Sequence, residues 1–520
     1  MTDRTREALL VVGISVVALA LRFLGLAEGD FWTDELFTRR IVDQPPGDAS
    51  DTVLATESSP HLYYFLAWAW SEVLGAGEAG LRSLSAIAGA LVAPVAYLTL
   101  RQAGLRTEAV IAGALAAVSP LLVWYSQEAR VYALFALVTA VGLFFFVQVL
   151  VELRTRALIG WSVASAVMLL THYFAVFTIA GMTVVLLYRH RARWQLIALS
   201  LLPTAVAAFA LLPIVAAQRT AEKTEWIAAI PLAERLLQLP EHFLTGFAYP
   251  PLVFVAVAGL LAATATVGLL TDGERSQLVA GGLLGVAAVA IGLPLLGKAV
   301  SQDFVISRNL LAALVPLLLA VSIGLGAARL RPFGPIIAVT LVCLLGAMSV
   351  AAEYDTDVER PHWGAAVEAI GEDGEPDMVL ACCGALAAPA PHYLEPFVEY
   401  DSTMGDLAID DVVLATTSRP DRRPQNDFCW WGSPCQANDV LGPGGPPAYT
   451  DELSQAFAAM FDDVETTKSG SIKLERFRSA NPVSLGPQTP IRLAENDVVV
   501  VGDDQAVNSV EVLVRQPTAK

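Results

Sequence analysis

Residues 119–151 read SPLLVWYSQEARVYALFALVTAVGLFFFVQVLV. From Val131 to Val151 the run is apolar and uncharged, and about 20 such residues in a helix cross the hydrocarbon of a bilayer. Just before it, Trp124-Tyr125-Ser126-Gln127-Glu128-Ala129-Arg130 packs aromatic rings, an amide, an acid and a base into one short hinge. A bilayer-length helix with a polar, aromatic hinge at its mouth predicts an α-helical membrane protein with chemistry at the interface.

Working outward, segments of similar kind are predicted to span near 8–27, 81–100, 108–124, 157–171, 173–188, 195–216, 250–270, 278–297, 309–329 and 334–352, making eleven with 131–151. His61–Gly77 (HLYYFLAWAWSEVLGAG) is a twelfth candidate, but it is short, aromatic and carries Glu72, so it also fits an interfacial helix. Charge decides. With eleven spans and a cytoplasmic start, Arg4, Arg6, Arg101, Arg106, Arg154, Arg156, Arg189, Arg191, Arg193, Arg275, Arg329 and Arg331 all fall in inside segments. A twelfth span would move Arg189–Arg193 outside, against the positive-inside rule. Arg22 interrupts the first span and no small-x-small site follows, so that span is expected to stay as an anchor rather than a cleaved signal.

Composition agrees. Of 520 residues 55% are hydrophobic and 16% charged, with mean hydropathy +0.55, whereas soluble domains carry about 25% charged residues. The net charge of −18 is uneven. From Ala351 onward there are 29 acids against 11 bases, which leaves the first two-thirds neutral. Two domains are expected: a membrane domain over 1–352, with outer loops 28–80 and 218–249, and an acidic extracytoplasmic α/β domain over 353–520. In the tail, DMVLACC (377–383), DVVLATT (411–417), DVVVVG (497–502) and VEVLV (510–514) predict strands, and HWGAAVEAIG (362–371) and DELSQAFAAMF (451–461) predict helices. Only five bases are lysines, as in acidic surfaces kept hydrated at high salt. No basic face exists for nucleic acid. Cys382, Cys383, Cys429 and Cys435 lie in the outer tail and Cys343 in the last span. A Cys429–Cys435 disulfide is open to this compartment, and the spacing is a poor zinc pattern.

Polar residues gather on one side. Asp34 and Glu35, His61, Glu128 with Arg130, His172, Lys298 and Arg308 all fall on the outer side of the eleven-span arrangement, with Tyr125 and Tyr132 beside them. Each has a plain structural reading. Asp34-Glu35 can cap a helix, Glu128 and Arg130 can pair locally, His61 and His172 can be turn residues, Tyr125 and Tyr132 fit an aromatic belt, and Lys298 and Arg308 can snorkel. Taken separately these readings do not account for one shared face. As a set the residues suit group transfer from an anionic lipid: a carboxylate to deprotonate an acceptor hydroxyl, cations to hold a departing phosphate, and rings to stack on a sugar. No Walker loop, GxSxG elbow, HExxH or dinucleotide fingerprint is present.

At FWTDELF (31–37), SSPHLYYFLAWAWSEVLGAGEAGLRSLSA (58–86), SPLLVWYSQEARVYAL (119–134), THYF (171–174) and SRNLLAALVP (307–316) the chain resembles the polyprenyl-phosphate-sugar-dependent glycosyltransferases of the GT-C fold. The similarity is to the protein O-mannosyltransferase-like and aminoarabinose-transferase-like branch (family 39-type). RPHWGAAVEAI (360–370) resembles the start of that branch's ectodomain. Two departures stand out: Ser59 replaces a frequent second proline, and Asn309 replaces a tyrosine. The resemblance implies a multi-span plasma-membrane enzyme that takes a sugar, a mannose-like hexose favoured, from dolichyl- or undecaprenyl-phosphate. A glycan, lipid or protein would accept it at the outer face. Asp34 would be general base, Glu35 its neighbour in shaping the site, Glu128 the second-loop acid with Arg130 as its partner, and Lys298 and Arg308 the phosphate holders. His61, Tyr125, Tyr132 and His172 would line the substrate site. Some relatives use a divalent metal, for which His61, Glu128 and His172 are the candidate ligands. The mechanism implied is one inverting displacement. En bloc oligosaccharide transfer would call for a Trp-Trp-Asp run, but Trp430-Trp431 is followed by Gly432. A transporter would place its polar groups at mid-bilayer and show inverted repeats.

Overall fold

The structure is a computed structural model. It describes residues 3–218, 227, 231–246, 266, 270, 272–298, 303–353, 363–372, 376–382, 390–393, 397–399, 407–417, 454–455, 457–469, 472–485, 490–492, 498–500 and 511–515. The chain divides into two compact units. One comprises Met1–Leu26 and Phe37–Tyr354, the other Ala27–Leu36 and Asp355–Lys520.

The first unit is helical. After α1 (Asp3–Phe23) the outer loop holds α2 (Thr33–Val42, shared between the units), α3 (Pro46–Thr56) and α4 (Leu62–Leu74). Pro46 opens α3, where its missing N–H costs nothing. Gly75, at φ 82°, ends α4 by adopting the left-handed conformation that side chains disfavour. The chain then runs through α5 (Glu78–Gln102), α6 (Arg106–Val118), α7 (Pro120–Ser126), α8 (Tyr132–Val151), α9 (Thr155–Thr171) and α10 (Ala175–Arg189). It continues through α11 (Trp194–Ser200), α12 (Leu202–Gln218), α13 (Leu232–Thr245), α14 (Glu274–Lys298), α15 (Leu311–Gly326) and α16 (Phe333–Glu353). α5 packs on α1, α6 and α8, and α14 packs on α10 and α15.

Among the described residues α5, α8, α14 and α16 are each long and apolar enough to cross a membrane, and the bent pairs α6–α7 (51°) and α11–α12 (43°) pass the same test together. α9, α10 and α15 are shorter apolar helices, and α1 coincides with the first expected span but carries charges at its amino end. The expected span 250–270 lies largely outside the described residues. His61–Gly77 contains a helix of only 13 residues, too short to span. The burial pattern suits lipid: Leu9, Val12 and Val16 of α1, Val206 and Phe209 of α12, and Ile336 and Val339 of α16 face outward, while Arg22, Arg82 and Ser85 are buried.

The second unit contains a six-stranded sheet in the order β2-β8-β1-β3-β5-β4. Its strands are β1 (Met378–Cys382), β2 (Phe397–Glu399), β3 (Leu407–Thr417), β4 (Asp463–Ser469), β5 (Ile472–Leu485) and β8 (Glu511–Arg515). β6 (Pro490–Arg492) and β7 (Val498–Val500) form a separate pair. β1 and β3 run parallel, with Leu380 opposite Leu414, and the other pairings are antiparallel. Helix α17 (Trp363–Glu372) lays Trp363, Ala366 and Ile370 on Val379, Val413, Ala415, Ile472 and Leu474. The other face of β5 puts Phe477 against Phe457 and Phe461. β4 and β5 lie where no strand was expected. In β5 buried Arg476 forks onto Asp411 and donates to the Ile370 carbonyl, and buried Glu475 meets Lys473, while Asp463 and Glu465 of β4 are exposed. The expected helix over 451–461 and Cys383, Cys429 and Cys435 fall partly or wholly outside the described residues; Cys343 is an exposed free thiol.

Candidate functional site

The hinge quoted at the outset sits at a break between helices. Proline has no N–H and pushes the preceding residue out of the helical region, so Ser119 is non-helical (ψ 117°) and α7 restarts at Pro120. The carbonyls of Ala116, Ala117 and Val118 thereby lose their intrahelical partners. Side chains replace them. Arg22, fully buried, donates to the Ala116 carbonyl at 3.2 Å and to that of Ala117 at 2.9 Å, while its Nε reaches Ser126 Oγ at 3.1 Å. Ser349 donates to the Val118 carbonyl at 2.9 Å. Gln127 Nε2 reaches back to the Leu24 carbonyl, also at 2.9 Å. Gly89 makes room, because a Cβ there would collide with Ser126 Oγ. The WYSQEAR segment is thus clamped by the end of α1.

Beyond the clamp the aromatic residues converge. The Tyr125 and Tyr132 rings lie 4.8 Å apart. Tyr125 hydrogen-bonds Ser307 and lies in electrostatic reach of Glu128, Tyr132 and Arg308. His172, in the turn between α9 and α10, stacks on Phe135 at 4.5 Å and lies 6.2 Å from Tyr132. Its Nδ1 accepts the Phe174 N–H at 3.3 Å. Burial, then the nearby Arg308 and Arg130 cations, lowers its pKa to about 3, so it is a neutral ring at ordinary pH.

Arg130 has a partner that the sequence did not single out. Its guanidinium forks onto Glu57, with both N–O distances 2.7 Å. Tyr64 Oη donates to the same carboxylate at 2.5 Å, and the Tyr64 ring lies under the guanidinium at 5.9 Å. Glu57 arrives from the end of α3 with both oxygens facing the fork.

Lys298 and Arg308 occupy different surroundings. Lys298 Nζ contacts Asp303 Oδ2 at 2.5 Å, and the same carboxylate is gripped by buried Arg235 at 2.7 Å on both oxygens. Arg235 holds Asp303 well below the usual carboxylate range, with Lys298 adding to the effect. Arg308 lies in electrostatic reach of Tyr125 and His172. Four residues along α13 from Arg235, Leu239 joins Val305, Leu310, Phe243 and Ile291 in an apolar cluster. Leu239, Phe243 and Ile291 also line a cavity of about 260 Å³ reaching Leu115, Leu317 and Leu345. The cavity wall at Leu239 thus lies one helical turn from Arg235.

His61 is set apart from this cluster: its Nε2 meets Ser50 Oγ at 3.2 Å and its ring stacks on Phe65. Asp34 and Glu35 belong to the second unit, in the first turn of α2. Glu35 is fully buried, and its Oε2 accepts the Trp32 N–H at 3.3 Å, as an acid at the third helical position caps a helix start. Among the described residues no three His, Cys, Asp or Glu side chains form a group able to hold a metal. His61, Glu128 and His172 do not form such a group. Glu57, Arg235, Asp303 and Arg22 were not singled out from sequence. Arg22 alone carried a signal, as a charge inside an apolar span.

Residues 58–217 match the family model for dolichyl-phosphate-mannose-protein mannosyltransferases. No curated protein matches the chain by sequence. In structure it is similar to ArnT from Cupriavidus metallidurans bound to undecaprenyl phosphate, at TM-score 0.54 and 13% identity, over 90% of this chain and 97% of that one. The archaeal oligosaccharyltransferase AglB from Archaeoglobus fulgidus, in complex with an inhibitory peptide and a dolichol-phosphate, aligns over 70% of this chain and 58% of its own, at TM-score 0.42 and 13% identity. This chain is a multi-pass membrane protein with the fold of the GT-C glycosyltransferases.

Proposed function

We propose that the protein transfers a single sugar, a mannose-like hexose favoured, from a polyprenyl- or dolichyl-phosphate donor to a glycan, lipid or protein acceptor at the outer face of the membrane. The observation that carries this reading is an apolar cavity whose wall residue Leu239 packs with Val305 and lies one helical turn from Arg235, which grips Asp303 together with Lys298. An apolar cavity near cations suits an isoprenoid tail and its phosphate, and the clustered rings of Tyr125, Tyr132 and His172 suit a sugar face.

In the reaction, Asp34 takes the proton of the acceptor hydroxyl as that oxygen bonds to the anomeric carbon. The bond from that carbon to the phosphate oxygen breaks on the opposite side, and its electron pair leaves with the lipid phosphate, inverting the centre. Arg308 and Lys298 stabilise the charge that grows on the departing phosphate. Neutral His172 and the two tyrosines present rings and hydroxyls to the sugar without competing for the phosphate. The amino terminus lies in the cytoplasm and the acidic domain outside.

Mass spectrometry of surface glycoconjugates and lipid-linked glycans in a deletion strain tests this. Loss of one sugar from an acceptor, with its lipid-linked form accumulating, is the expected result. Unchanged glycans and lipid-linked pools would refute it.

A further inference from the structure

The ten residues Ala27–Leu36 lie between α1 and the rest of α2 in sequence, yet they belong to the same compact unit as Asp355–Lys520. Two hydrogen bonds of very long sequence separation tie them there. The Asp30 carboxylate accepts the Gly364 N–H at 2.6 Å, at the amino end of α17, and the Phe31 N–H donates to Tyr393 Oη at 2.6 Å. An anion suits that helix end, because its N–H groups and dipole both favour negative charge. The Phe31 ring lies 6.3 Å from that of His392, and Phe31 and Trp32 are buried.

These bonds fall just before a helix start. Trp32 caps α2, since its carbonyl accepts the N–H groups of Glu35 at 2.9 Å and Leu36 at 3.1 Å. An α-helix turns about 100° per residue. Whatever fixes residues 30 and 31 therefore bears on the first turn of α2, where Asp34 sits.

We propose that the acidic C-terminal domain positions the catalytic loop: Asp30 and Tyr393 set the start of α2 so that Asp34 is aimed at the acceptor. Neither residue touches substrate; both act through Asp34, and the inference rests on Asp34 being the base. It gives the domain a role in the transfer step that requires no acceptor binding of its own.

The full-length protein in lipid nanodiscs, as Tyr393→Phe, Asp30→Ala, Asp30→Asn and Asp34→Asn, provides the test. Hydrogen exchange is followed on the 27–36 peptide and on β1, β3 and β5, and transfer kinetics are measured with a polyprenyl-phosphate-linked mannose. Tyr393→Phe and Asp30→Ala are expected to raise exchange in 27–36 while leaving the strands protected. They should lower kcat by about tenfold at unchanged donor KM, as a slightly misplaced base does. Asp30→Asn, which keeps an acceptor oxygen, should recover most of the rate.

Unchanged exchange in 27–36 would overturn the proposal, and so would exchange rising equally in the strands. Faster exchange with normal kcat, in a protein that Asp34→Asn inactivates, would also overturn it while leaving the base assignment standing. Normal transfer by Asp34→Asn would remove the base assignment itself, and with it this role of the domain.

Discussion

Arg130 and Glu57, 73 residues apart, form a two-pronged ion pair with both contacts at 2.7 Å and both side chains withdrawn from solvent. The pair ties the end of α3 to the hinge that opens α8. A buried pair adds little stability over apolar residues of the same shape, yet losing one partner strands a buried charge at about 3–5 kcal/mol. Glu57→Gln is therefore expected to lower the thermal midpoint more than any exposed substitution in the same loop. The joint Glu57→Leu, Arg130→Met variant should recover part of the loss. Equal melting of Glu57→Gln and wild type in detergent would show that the pair does not hold the loop.

Arg22 predicts a second vulnerability. Its guanidinium serves the carbonyls of Ala116 and Ala117 at the α6–α7 break. Each buried acceptor left unmade costs about 1–3 kcal/mol. Arg22→Met, which keeps the stem but removes the donors, should destabilise markedly. Gly89→Ala should do so too, because its methyl group would displace Ser126 and Arg22. Wild-type melting in both variants would show that the break is held by other contacts.

The pH response follows from His172. Unfolded, this histidine titrates near 6.5; folded, it titrates at about 3. Between those values the unfolded chain holds the extra proton. Stability from this group is thus complete above about pH 6.5 and falls as pH drops toward 3, at about 1.4 kcal/mol per pH unit. His172→Phe preserves the stacking on Phe135 and should flatten that dependence in melting scans between pH 7 and 5. A slope identical to wild type would assign the acid sensitivity elsewhere.

Lys298 and Arg308 are both expected to contribute to donor binding. Lys298 contacts Asp303, which Arg235 also grips, so that triad carries one net positive charge. Arg308 lies in electrostatic reach of Tyr125 and His172. A charge-assisted hydrogen bond is worth about 1.5–3 kcal/mol, or roughly tenfold and upward in affinity. Arg308→Ala and Lys298→Ala should each weaken lipid-phosphate binding by that much. Unchanged donor titration in both single variants and in the double variant would remove the pair from the donor site.

Apolar run length made the helices of the membrane domain legible, because lipid selects long apolar helices. The rest depends on contacts that no local pattern encodes. The break at Ser119 falls inside the expected span 108–124, and nothing nearby showed that Arg22 would cap it. Glu57 became a partner of Arg130 only through the packing of α3, which no pattern around the hinge encodes. β5 escaped notice because Lys473, Glu475, Arg476 and Arg478 resemble a solvated stretch until their partners are seen. The tie from Asp30 to Gly364 spans 334 positions and left no trace in sequence.

Asp34 and Glu35 carry the sharpest expectation, because the structure separates their structural duties. Glu35 is buried and accepts the Trp32 N–H, which is the capping function. Asp34 sits one position earlier in the first turn of α2 and is half-exposed. If Asp34 takes the acceptor's proton, Asp34→Asn keeps its shape and hydrogen-bonding reach but loses basicity and charge. Transfer should then slow by at least ~10²-fold in a folded, inserted protein that still binds donor. Glu35→Gln keeps an oxygen for the Trp32 N–H and should transfer sugar at close to the normal rate. A purely structural role for both residues predicts another pattern. Asparagine sits at helix starts about as well as aspartate, so Asp34→Asn would then be near normal, and Glu35→Ala, which cannot cap, would be the damaging change. Single-turnover transfer rates for the three variants, with melting curves as the control for folding, separate the two cases.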